Sequence, residues 1–392
     1  MSAHLRVLQV HTRYREAGGE DVVVDAEAAV LREAGHEIFP WRARNPEGSI
    51  VAAGKLALSA WNPAAARALR EVVDRVRPDV AHVHNTWYAL SPAIIAALDG
   101  AGIPVVMTLH NYRLLCANGM LFRDDQPCED CVGAHAWHGV RHGCYRGSVA
   151  ASIPAAATIA LHRRLGTWQR RVRLFLATTA FAKRRFVAGG LPSARIRVKP
   201  HFVDDPGPRE RPPSASRDVL YVGRLSAEKG VDVLVDAFSA LDGCDLRLVV
   251  IGNGPEQSAL ARRAGHNVHF TGWLPVEQVH EHMRRARALA FPSRLYETWG
   301  MSVLEAMAAG LPVLASDLGG SPEILGRRAG WLVPPGDATA WAAAIRRLAD
   351  PALVDLTGQA ARRRWQDRFT PSTGLSMLED AYRLVCRTEK RA

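Results

Sequence analysis

Two carboxylates in the stretch YETWGMSVLEAMAAG, Glu297 and Glu305, are spaced so that a helix can begin between them. Apolar residues at 303, 304, 307 and 308 have the spacing of one buried helical face, and Gly310 with Pro312 predicts its end. Glu297 would then lie just before the helix, and Glu305 would lie within it.

The start of this helix has the chemistry of an anion site. The N–H groups of Trp299, Gly300 and Met301 would be exposed there, and a diphosphate is the common biological anion that such groups bind. Two structural interpretations stay open at this point. Glu297 would complement the helix dipole, or Ser302-x-x-Glu305 would form a capping box.

A basic pair occurs in GRLSAEKG, where Arg224 and Lys229 follow a predicted strand and precede a helix. Arg offers a bidentate fork and Lys a point charge, which together suit a diphosphate, although surface cations are commonly only solvated. The next strand ends in IGNGPE, a glycine turn that contains Gly252. It is not a G-x-G-x-x-G, so no dinucleotide fingerprint is indicated.

Three histidines, His11, His84 and His110, follow predicted strands in the first half of the chain. A histidine facing a cleft can position or deprotonate a hydroxyl, whereas most histidines at strand ends are only polar loop residues. A zinc hydrolase is disfavoured because no carboxylate accompanies them as H-E-x-x-H requires. Gly18-Gly19 lies in the first loop, where missing side chains would let backbone approach a phosphate.

Four of the six cysteines follow the pattern C-x11-C-x2-C-x12-C, at Cys116, Cys128, Cys131 and Cys144. This spacing resembles a tetrahedral zinc loop, and the alternative interpretation is reduced cysteines packed in an irregular loop. Further possible ligands are His135, His138 and His142. Without a signal sequence at the N-terminus, we expect reduced thiols or a structural metal rather than disulfides.

The positions of these residues depend on alternating strands and helices. With 392 residues, 48% hydrophobic and 23% charged, the chain can form two domains of ordinary size. Continuous apolar strands between helices predict an α/β fold with two parallel sheets covered on both faces. The predicted boundaries are an N-terminal domain over 1–203 with a Cys-rich loop at 116–144, a Pro/Ser-rich linker at 204–216, a C-terminal domain over 217–370 and a final segment over 371–392.

The formal charge of +11 is concentrated between Cys131 and Val203, where there is no Asp or Glu. Leu161 to Leu176 has an apolar stripe with arginines mostly off it, which predicts one basic amphipathic helix. Two interpretations of this charge stay open. It binds an anionic partner, which is a phosphate-bearing acceptor or a membrane surface, or it is only a solvated face. The basic residues of the span are Arg141, Arg146, Arg163, Arg164, Arg170, Arg171, Arg173, Lys183, Arg184, Arg185, Arg195, Arg197 and Lys199.

Taken in order, the motifs resemble those of the retaining nucleotide-sugar glycosyltransferases of family 4, which have the GT-B fold. The resemblance rests on GRLSAEKG, IGNGPE, FTGWL, PSRLYETWGMSVLEAMAAGLPVLAS, GGSPEIL and GWLVPPGD, with AGGE, GHEI and LHNYRLLC before them. It implies two Rossmann-like domains facing a central cleft, with the acceptor in the N-terminal half and the donor mainly in the C-terminal half. It also implies that the last helix crosses back to the first domain.

The resemblance assigns roles to particular residues. It implies that Glu297 contacts donor-sugar hydroxyls, that Glu305 holds the ribose, and that Arg224 and Lys229 neutralise the leaving diphosphate. His110 would lie beside the transferred sugar. The expected donor-binding set is Gly19, Arg224, Lys229, Gly252, Glu297, Trp299, Gly300, Met301 and Glu305, and the expected catalytic set is His110, Glu297, Arg224 and Lys229.

Retention of configuration and the absence of a catalytic metal are implied in the same way. The acceptor would be a glycan, a lipid-linked or a small-molecule hydroxyl, and the location would be cytoplasmic, with a possible peripheral contact at the inner membrane face. KPHFVDD, at 199–205, departs from the N-G of many members, so the resemblance assigns no acceptor contact there.

Other functions fit parts of the pattern. An epimerase or a phosphorylase on the same fold is compatible with it, because fold does not fix chemistry. A nucleic-acid-binding protein would use the basic span together with aromatic platforms. The aromatics of that span fall at mostly helical spacing and favour a core, so no nucleic acid is expected; they are Trp168, Phe175, Phe181 and Phe186.

Overall fold

A computed structural model describes residues 4–13, 18–45, 54, 56–241 and 243–389. The chain divides into two compact units. Unit 1 comprises Met1–Leu121, Cys128–His201 and Ser372–Ala392, and unit 2 comprises Phe122–Pro127 and Phe202–Pro371. Each unit is built around its own six-stranded parallel sheet, so the predicted α/β fold with two parallel sheets is confirmed.

The sheet of unit 1 has the strand order β2-β1-β3-β4-β7-β8. Its central strands are buried continuous apolar runs, as expected for a sheet covered on both faces. The strands are β1 (Arg6–Arg13), β2 (Glu37–Arg44), β3 (Val80–Asn85), β4 (Val105–Leu109), β7 (Leu174–Ala177) and β8 (Ile196–Val198). The helices are α1 (Gly19–Glu33), α2 (Pro63–Val76), α3 (Ala93–Gly100), α4 (His138–Arg141), α5 (Val149–Arg164), α6 (Thr167–Arg171) and α7 (Ala180–Ala188).

The last helix, α15 (Pro371–Glu389), packs within unit 1. Leu378, Tyr382 and Val385 share a hydrophobic cluster with Val7 and Val80 of the sheet. Burial of this apolar face explains why the end of the chain joins the unit formed by its beginning.

Unit 2 repeats the architecture with the strand order β11-β10-β9-β12-β13-β14. The strands are β9 (Asp218–Val222), β10 (Arg247–Ile251), β11 (Val268–Gly272), β12 (Ala288–Phe291), β13 (Val313–Ser316) and β14 (Gly330–Val333). The helices are α8 (Val231–Ser239), α9 (Gln257–Arg263), α10 (Val276–Arg285), α11 (Met301–Ala308), α12 (Ser321–Leu325), α13 (Ala338–Arg346) and α14 (Pro351–Arg368). Leu248 and Val250 enter one core cluster while Val249 and Ile251 enter another, so both faces of β10 are covered.

The segment predicted as a linker, 204–216, is bonded along unit 2. Asp205 pairs with Arg362 at 2.5 Å, and Ser214 donates its hydroxyl to Asp355 at 2.7 Å. Arg209 donates to the carbonyls of Met283 and Ala286 at 2.8 and 2.6 Å. These bonds anchor the Pro-rich segment to the surface of the unit that follows it.

The predicted basic amphipathic helix from Leu161 to Leu176 is wrong. The helix α5 ends at Arg164, and Gly166 has a φ of +62°, which breaks the helical path before the short α6. Phe175 lies on β7, which pairs with both β4 and β8. The apolar spacing that suggests one stripe is therefore divided between two helices and a buried strand.

Several cations of the basic span bond within unit 1 rather than forming one charged face. Arg163 donates to the carbonyls of Ala134 and Cys131 at 2.6 and 3.2 Å, and Arg195 donates to the carbonyl of Gln169 at 2.7 Å. Lys199 is buried against Glu27. Part of the positive charge thus has a structural role.

Between β4 and α5 the chain is mostly irregular. The residues 110–148 contain only the two-stranded hairpin β5 (Phe122–Arg123) and β6 (Gln126–Pro127) and the one-turn α4. A connection of this length with so little regular structure requires side-chain packing or a bound group to order it. The four spaced cysteines lie in this connection.

Candidate functional site

Three loops at the carboxyl ends of β9, β10 and β12 pack together in unit 2. A Cβ on Gly252 would lie 2.0 Å from the carbonyl oxygen of Gly223, and one on Gly254 would lie 2.1 Å from that of Leu225. Leu225 N–H in turn donates to the carbonyl of Asn253 at 2.9 Å. The glycines of IGNGPE are thus required for close contact between the loops after β9 and β10.

Gly230 performs the same task between the loop after β9 and the end of β12. Its φ is +68°, and a Cβ there would lie 2.3 Å from the carbonyl oxygen of Pro292. This contact brings Lys229 to the segment that contains Glu297.

Lys229, Glu297 and Ser293 form one polar cluster. Lys229 Nζ lies 2.6 Å from Glu297 Oε1, and the Ser293 hydroxyl donates to the same oxygen at 2.7 Å. The Glu297 side chain is 12% exposed and that of Lys229 is 27% exposed, so both remain accessible. The Glu297 carbonyl accepts the Gly320 N–H at 3.1 Å, which holds the residue in place. The cluster offers a fixed carboxylate beside a fixed cation.

The helix α11 begins at Met301 with Gly300 as its N-cap, and no side chain among the described residues caps it. The capping-box interpretation of Ser302 and Glu305 is therefore wrong. The Trp299 side chain is 8% exposed and packs edge-on against Phe369 at 5.5 Å between ring centroids. Of the residues at this helix start, Trp299 thus contributes its side chain to the core and only its backbone to the surface.

Glu305 lies one turn into α11, and its carboxyl group has a raised pKa. Burial raises the pKa of its carboxyl group from 4.5 to about 7. A carboxyl group that is desolvated and close to half ionised at neutral pH can form strong hydrogen bonds with hydroxyls once a ligand covers it.

Arg224 lies apart from the Lys229–Glu297 pair. Its side chain is exposed, and its carbonyl accepts the Tyr221 hydroxyl at 2.7 Å. The structure therefore brings together Lys229 and Glu297 and leaves Arg224 on the outer surface of the same loop.

In unit 1, histidines gather at the carboxyl ends of the strands. His11, His84 and His110, which the sequence indicates, are joined by His82 and His201. His84 Nδ1 lies 3.0 Å from His110 Nε2, and the rings of His110 and His201 are 5.2 Å apart. Sequence reasoning missed the two additional histidines, although His82 is two positions before His84 on one strand and so faces the same side of the sheet.

Four of these histidines, His82, His84, His110 and His201, are held neutral. Burial lowers the pKa of His82 to about 3, and burial also lowers the pKa of His84, His110 and His201 well below the usual value. Their neighbouring positive groups lower these pKa values further. The cluster can therefore donate and accept hydrogen bonds at neutral pH without carrying charge on these rings.

Glu27, His82 and His84 are the group of three side chains, among the residues that the structure describes, whose possible metal-ligand atoms lie within 4.8 Å of one another. Their closeness has a metal-free explanation. Lys199 pairs with Glu27, and the two ring nitrogens of His82 bond to the Tyr382 and Thr108 hydroxyls, each at 2.8 Å. A cation would have to displace Lys199, so this geometry does not support the zinc hydrolase alternative.

A small cavity of about 40 Å³, space for about one water, lies against these histidines. Its lining residues include His84, His110, Trp87 and Arg113, and the Arg113 guanidinium lies over the Trp87 ring at 5.0 Å.

Gly19, which the sequence also indicates, is exposed at the first position of α1.

The four spaced cysteines lie in the irregular connection of unit 1, and Cys116 and Cys131 are buried. Burial raises the pKa of the Cys131 thiol to about 12, and the nearby thiols of Cys116, Cys144 and Cys128 raise it further. They do not reach the mutual spacing of 4.8 Å that the Glu27 group has within the described residues. A structural zinc therefore stays a prediction.

No helix among the described residues is long and apolar enough to cross a membrane.

Two family models match the chain. One, described as Glycosyltransferase Family 4, covers residues 17–205, and the other, described as Glycosyl transferases group 1, covers residues 216–350. Glycogen synthase from Mycobacterium tuberculosis is 29% identical over 329 residues, covering 80% of this chain and 71% of the relative. The 2-deoxystreptamine N-acetyl-D-glucosaminyltransferase of Streptomyces fradiae is 30% identical over 322 residues, covering 76% and 68%.

Solved structures with the same fold include two GT-B proteins. Sucrose-phosphate synthase from Thermosynechococcus elongatus has a TM-score of 0.72 at 19% identity, covering 97% of this chain and 99% of that one. Anabaena HepE, in complex with UDP and glucose, has a TM-score of 0.67 at 18% identity, covering 96% and 99%. At such identities the likeness shows a shared fold.

Proposed function

Because the chain belongs to the family 4 glycosyltransferases with the GT-B fold, we propose that it transfers a sugar from a nucleotide-diphosphate sugar to an acceptor hydroxyl with retention of configuration. Unit 2 would hold the donor, and unit 1 would hold the acceptor. The acceptor would be a glycan, a lipid-linked or a small-molecule hydroxyl.

The observation that carries the proposal is the polar cluster of Lys229, Glu297 and Ser293 near the start of α11. A diphosphate bound at the helix start would meet backbone N–H groups and the Lys229 ammonium, which supply the positive field that a leaving diphosphate needs. Glu297 would accept hydrogen bonds from the donor sugar, and Glu305 from the ribose. Arg224, exposed on the same loop, would close on the phosphates once the donor is bound.

In unit 1, His110 would contact the transferred sugar. It is half-buried and neutral, and it borders the small cavity with Trp87 and Arg113. Gly19 would face the phosphates from the start of α1. The proton of the acceptor would leave with the diphosphate, so no protein base is required for transfer.

Relatives support the donor class. HepE was solved with UDP and glucose, and the Streptomyces fradiae relative is named an N-acetyl-D-glucosaminyltransferase. The basic helix expected to contact anionic membrane is divided between α5, α6 and β7. In addition, Arg163, Arg195 and Lys199 bond inside unit 1, so neither observation supports a peripheral membrane contact.

A thermal-shift screen tests the proposal with UDP, GDP, ADP and TDP. A ligand at a hundred times its Kd stabilises the folded state by about 2.7 kcal/mol, so we expect one nucleotide to raise Tm clearly. Lys229→Met should abolish the shift. Arg263→Met, which breaks an exposed ion pair with Asp236 on the helices of the same unit, should leave it unchanged. If no nucleotide shifts Tm, or if both variants respond like the original protein, the proposed donor site is wrong.

A further inference from the structure

We infer that Arg42 and Gln9 fix the tautomer of His84 and, through it, that of His110, so that neutral His110 carries its proton on Nδ1. The two residues are positioning residues. The tautomer assignment is independent of the proposed function. Only the catalytic consequence of the tautomer rests on the proposed function.

The first step is the orientation of the Gln9 amide. Arg42 Nη2 donates to Gln9 Oε1 at 2.5 Å, and Arg42 Nη1 donates to the Gln9 carbonyl at 3.0 Å. Gln9 Nε2 donates to the Val24 carbonyl at 2.9 Å. Because arginine can only donate and a carbonyl can only accept, both contacts require the same orientation of the amide. Gln9 is 1% exposed, so water does not compete.

The second step concerns His84. The Gln9 amide nitrogen lies 3.5 Å from His84 Nε2, and its second N–H makes that ring nitrogen the acceptor. Neutral His84 then carries its proton on Nδ1. This nitrogen lies 3.0 Å from His110 Nε2. The two rings are inclined by 29° with centroids 5.3 Å apart, which places the hydrogen bond close to both ring planes.

The third step follows from the first two. His110 Nε2 accepts from His84, so the proton of neutral His110 must lie on Nδ1. Burial, which lowers the pKa of both rings, keeps them neutral and makes the tautomer well defined. His110 can therefore act as a hydrogen-bond donor through Nδ1.

The carboxylate of Glu27 is the group that opposes this assignment. Its Oε2 lies 3.9 Å from His84 Nε2 and 3.8 Å from His82 Nδ1, both beyond hydrogen-bond length. Glu27 is already paired with Lys199 through its other oxygen. The shorter and better-constrained contacts of Gln9 therefore determine the proton position.

The catalytic consequence is that His110 would donate to an oxygen of the transferred sugar rather than take its proton. A chain of Arg42, Gln9 and His84 behind it would hold that donor ready before substrate binds, and preorganised donors are the most effective electrostatic catalysts. His84 and His110 both border the cavity of unit 1, and His110 is partly exposed, so a ligand can reach the His110 end of this hydrogen-bonded series.

Nitrogen NMR of protein labelled with ¹⁵N-histidine tests the tautomer directly, with the resonances assigned from His84→Gln and His110→Gln spectra. We expect a protonated Nδ1 and an unprotonated Nε2 on both rings. A proton on Nε2 of either ring would overturn the inference. The measurement needs no donor or acceptor, so its outcome is separate from that of the proposed function.

Gln9→Glu provides an inverting variant. Its carboxylate can only accept, so it would accept a hydrogen bond from a protonated His84 Nε2. His84 Nδ1 would then accept from His110, and both rings would carry their proton on Nε2. We expect inverted ¹⁵N shifts, and a fall in kcat larger than the change in donor KM. Gln9→Met keeps the side-chain length without a donor or acceptor and should give mixed tautomers. If Gln9→Glu leaves both tautomers as they are, Gln9 does not set them; unaltered kcat with inverted tautomers would remove the catalytic consequence alone.

Discussion

Glu305 is the acid of the candidate site whose pKa is changed most clearly by burial. It lies on α11, whose start is capped by no side chain that the structure describes and is the proposed binding position of the diphosphate. Burial raises the pKa of its carboxyl group to about 7. Its charge therefore changes in the physiological range, whereas that of the neutral histidines in unit 1 does not. As the pH rises and Glu305 ionises, the free energy of unfolding of the free protein should fall, whereas hydrogen bonds from the donor to this carboxylate should strengthen.

The stability of the free protein should fall with rising pH because of Glu305. Its pKa in the folded state lies above the unfolded value of 4.5, so the folded protein binds the proton more tightly. The penalty grows between about pH 4.5 and 7 and reaches on the order of 3 kcal/mol above that range. Denaturant unfolding from pH 4.5 to 8 should show Glu305→Gln losing less stability than the original protein.

Glu281→Gln is the matched control, because Glu281 is an exposed carboxylate on α10 paired with Arg285. It should follow the original protein at every pH. Parallel pH profiles for the original protein and Glu305→Gln would show that Glu305 does not carry the penalty.

Glu297 should affect turnover more than affinity. It is held by Lys229 and Ser293 in the free protein, so an uncharged replacement keeps the shape of the site but removes the acceptor for sugar hydroxyls. With the true donor, Glu297→Gln should lower kcat at least tenfold with little change in donor KM, whereas Glu305→Gln should raise donor KM. Equal effects of both substitutions on kcat and KM would remove this division of roles.

At the residue scale, the sequence pattern predicted the position of the two acids relative to the helix but not their bonding. The partnership of Lys229 with Glu297 depends on the approach of two loops that are 68 positions apart. The buried pair of Glu27 and Lys199 was missed because its members are 172 positions apart and have no local signature, whereas His82 could have been found from its spacing to His84.

At the scale of elements, the glycine turn after β10 has a packing role that its sequence motif does not show. A Cβ on Gly252 would meet the Gly223 carbonyl at 2.0 Å, and its φ is +137°. Gly252→Ala should destabilise the protein by several kcal/mol, because a clash with backbone cannot be relieved by a side-chain movement. Chemical denaturation measures this difference.

Gly243→Ala is the control for backbone strain without a clash, since Gly243 has a φ of +65° and nothing within 4 Å of the added atom. It should cost about 1 kcal/mol. Similar losses in both variants would mean that strain alone accounts for Gly252.

A second prediction at the scale of elements concerns the irregular connection that contains four cysteines. We propose that it binds a structural zinc through Cys116, Cys128, Cys131 and Cys144, with about one zinc per chain. Elemental analysis of protein purified without chelator should find the metal, and Cys128→Ser with Cys131→Ser should lose it. Cys244→Ser, in unit 2, serves as the control. A metal-free protein that is folded and active would exclude the site.

The central strands of both sheets could be predicted because buried parallel strands are continuous apolar runs. The prediction failed at Leu161 to Leu176, where the same apolar spacing fits one helix or two helices and a strand. Gly166 and the pairing of β7 between β4 and β8 decide the outcome. Long-range pairing of this kind leaves no trace in a local pattern.

At the scale of the whole molecule, two parallel sheets of six strands present their polar residues at the carboxyl ends of their strands. In unit 1 these residues are mostly neutral histidines, and in unit 2 they are a lysine and two acids. This contrast agrees with the proposed assignment of the acceptor to unit 1 and of the charged donor to unit 2. The repeated strand-helix order was readable from sequence, since hydrophobic runs recur throughout both halves.

The central claim is that unit 2 recognises a nucleoside diphosphate through Lys229, the start of α11 and Glu305. Titration calorimetry should compare the nucleoside diphosphate that raises Tm with its nucleoside, for the original protein, Glu305→Ala and Glu281→Ala. We predict that the diphosphate binds at least tenfold more tightly than the nucleoside, that Glu305→Ala weakens both, and that Glu281→Ala weakens neither. Equal affinity for nucleoside and diphosphate, or binding unaffected by Glu305→Ala, would contradict the account.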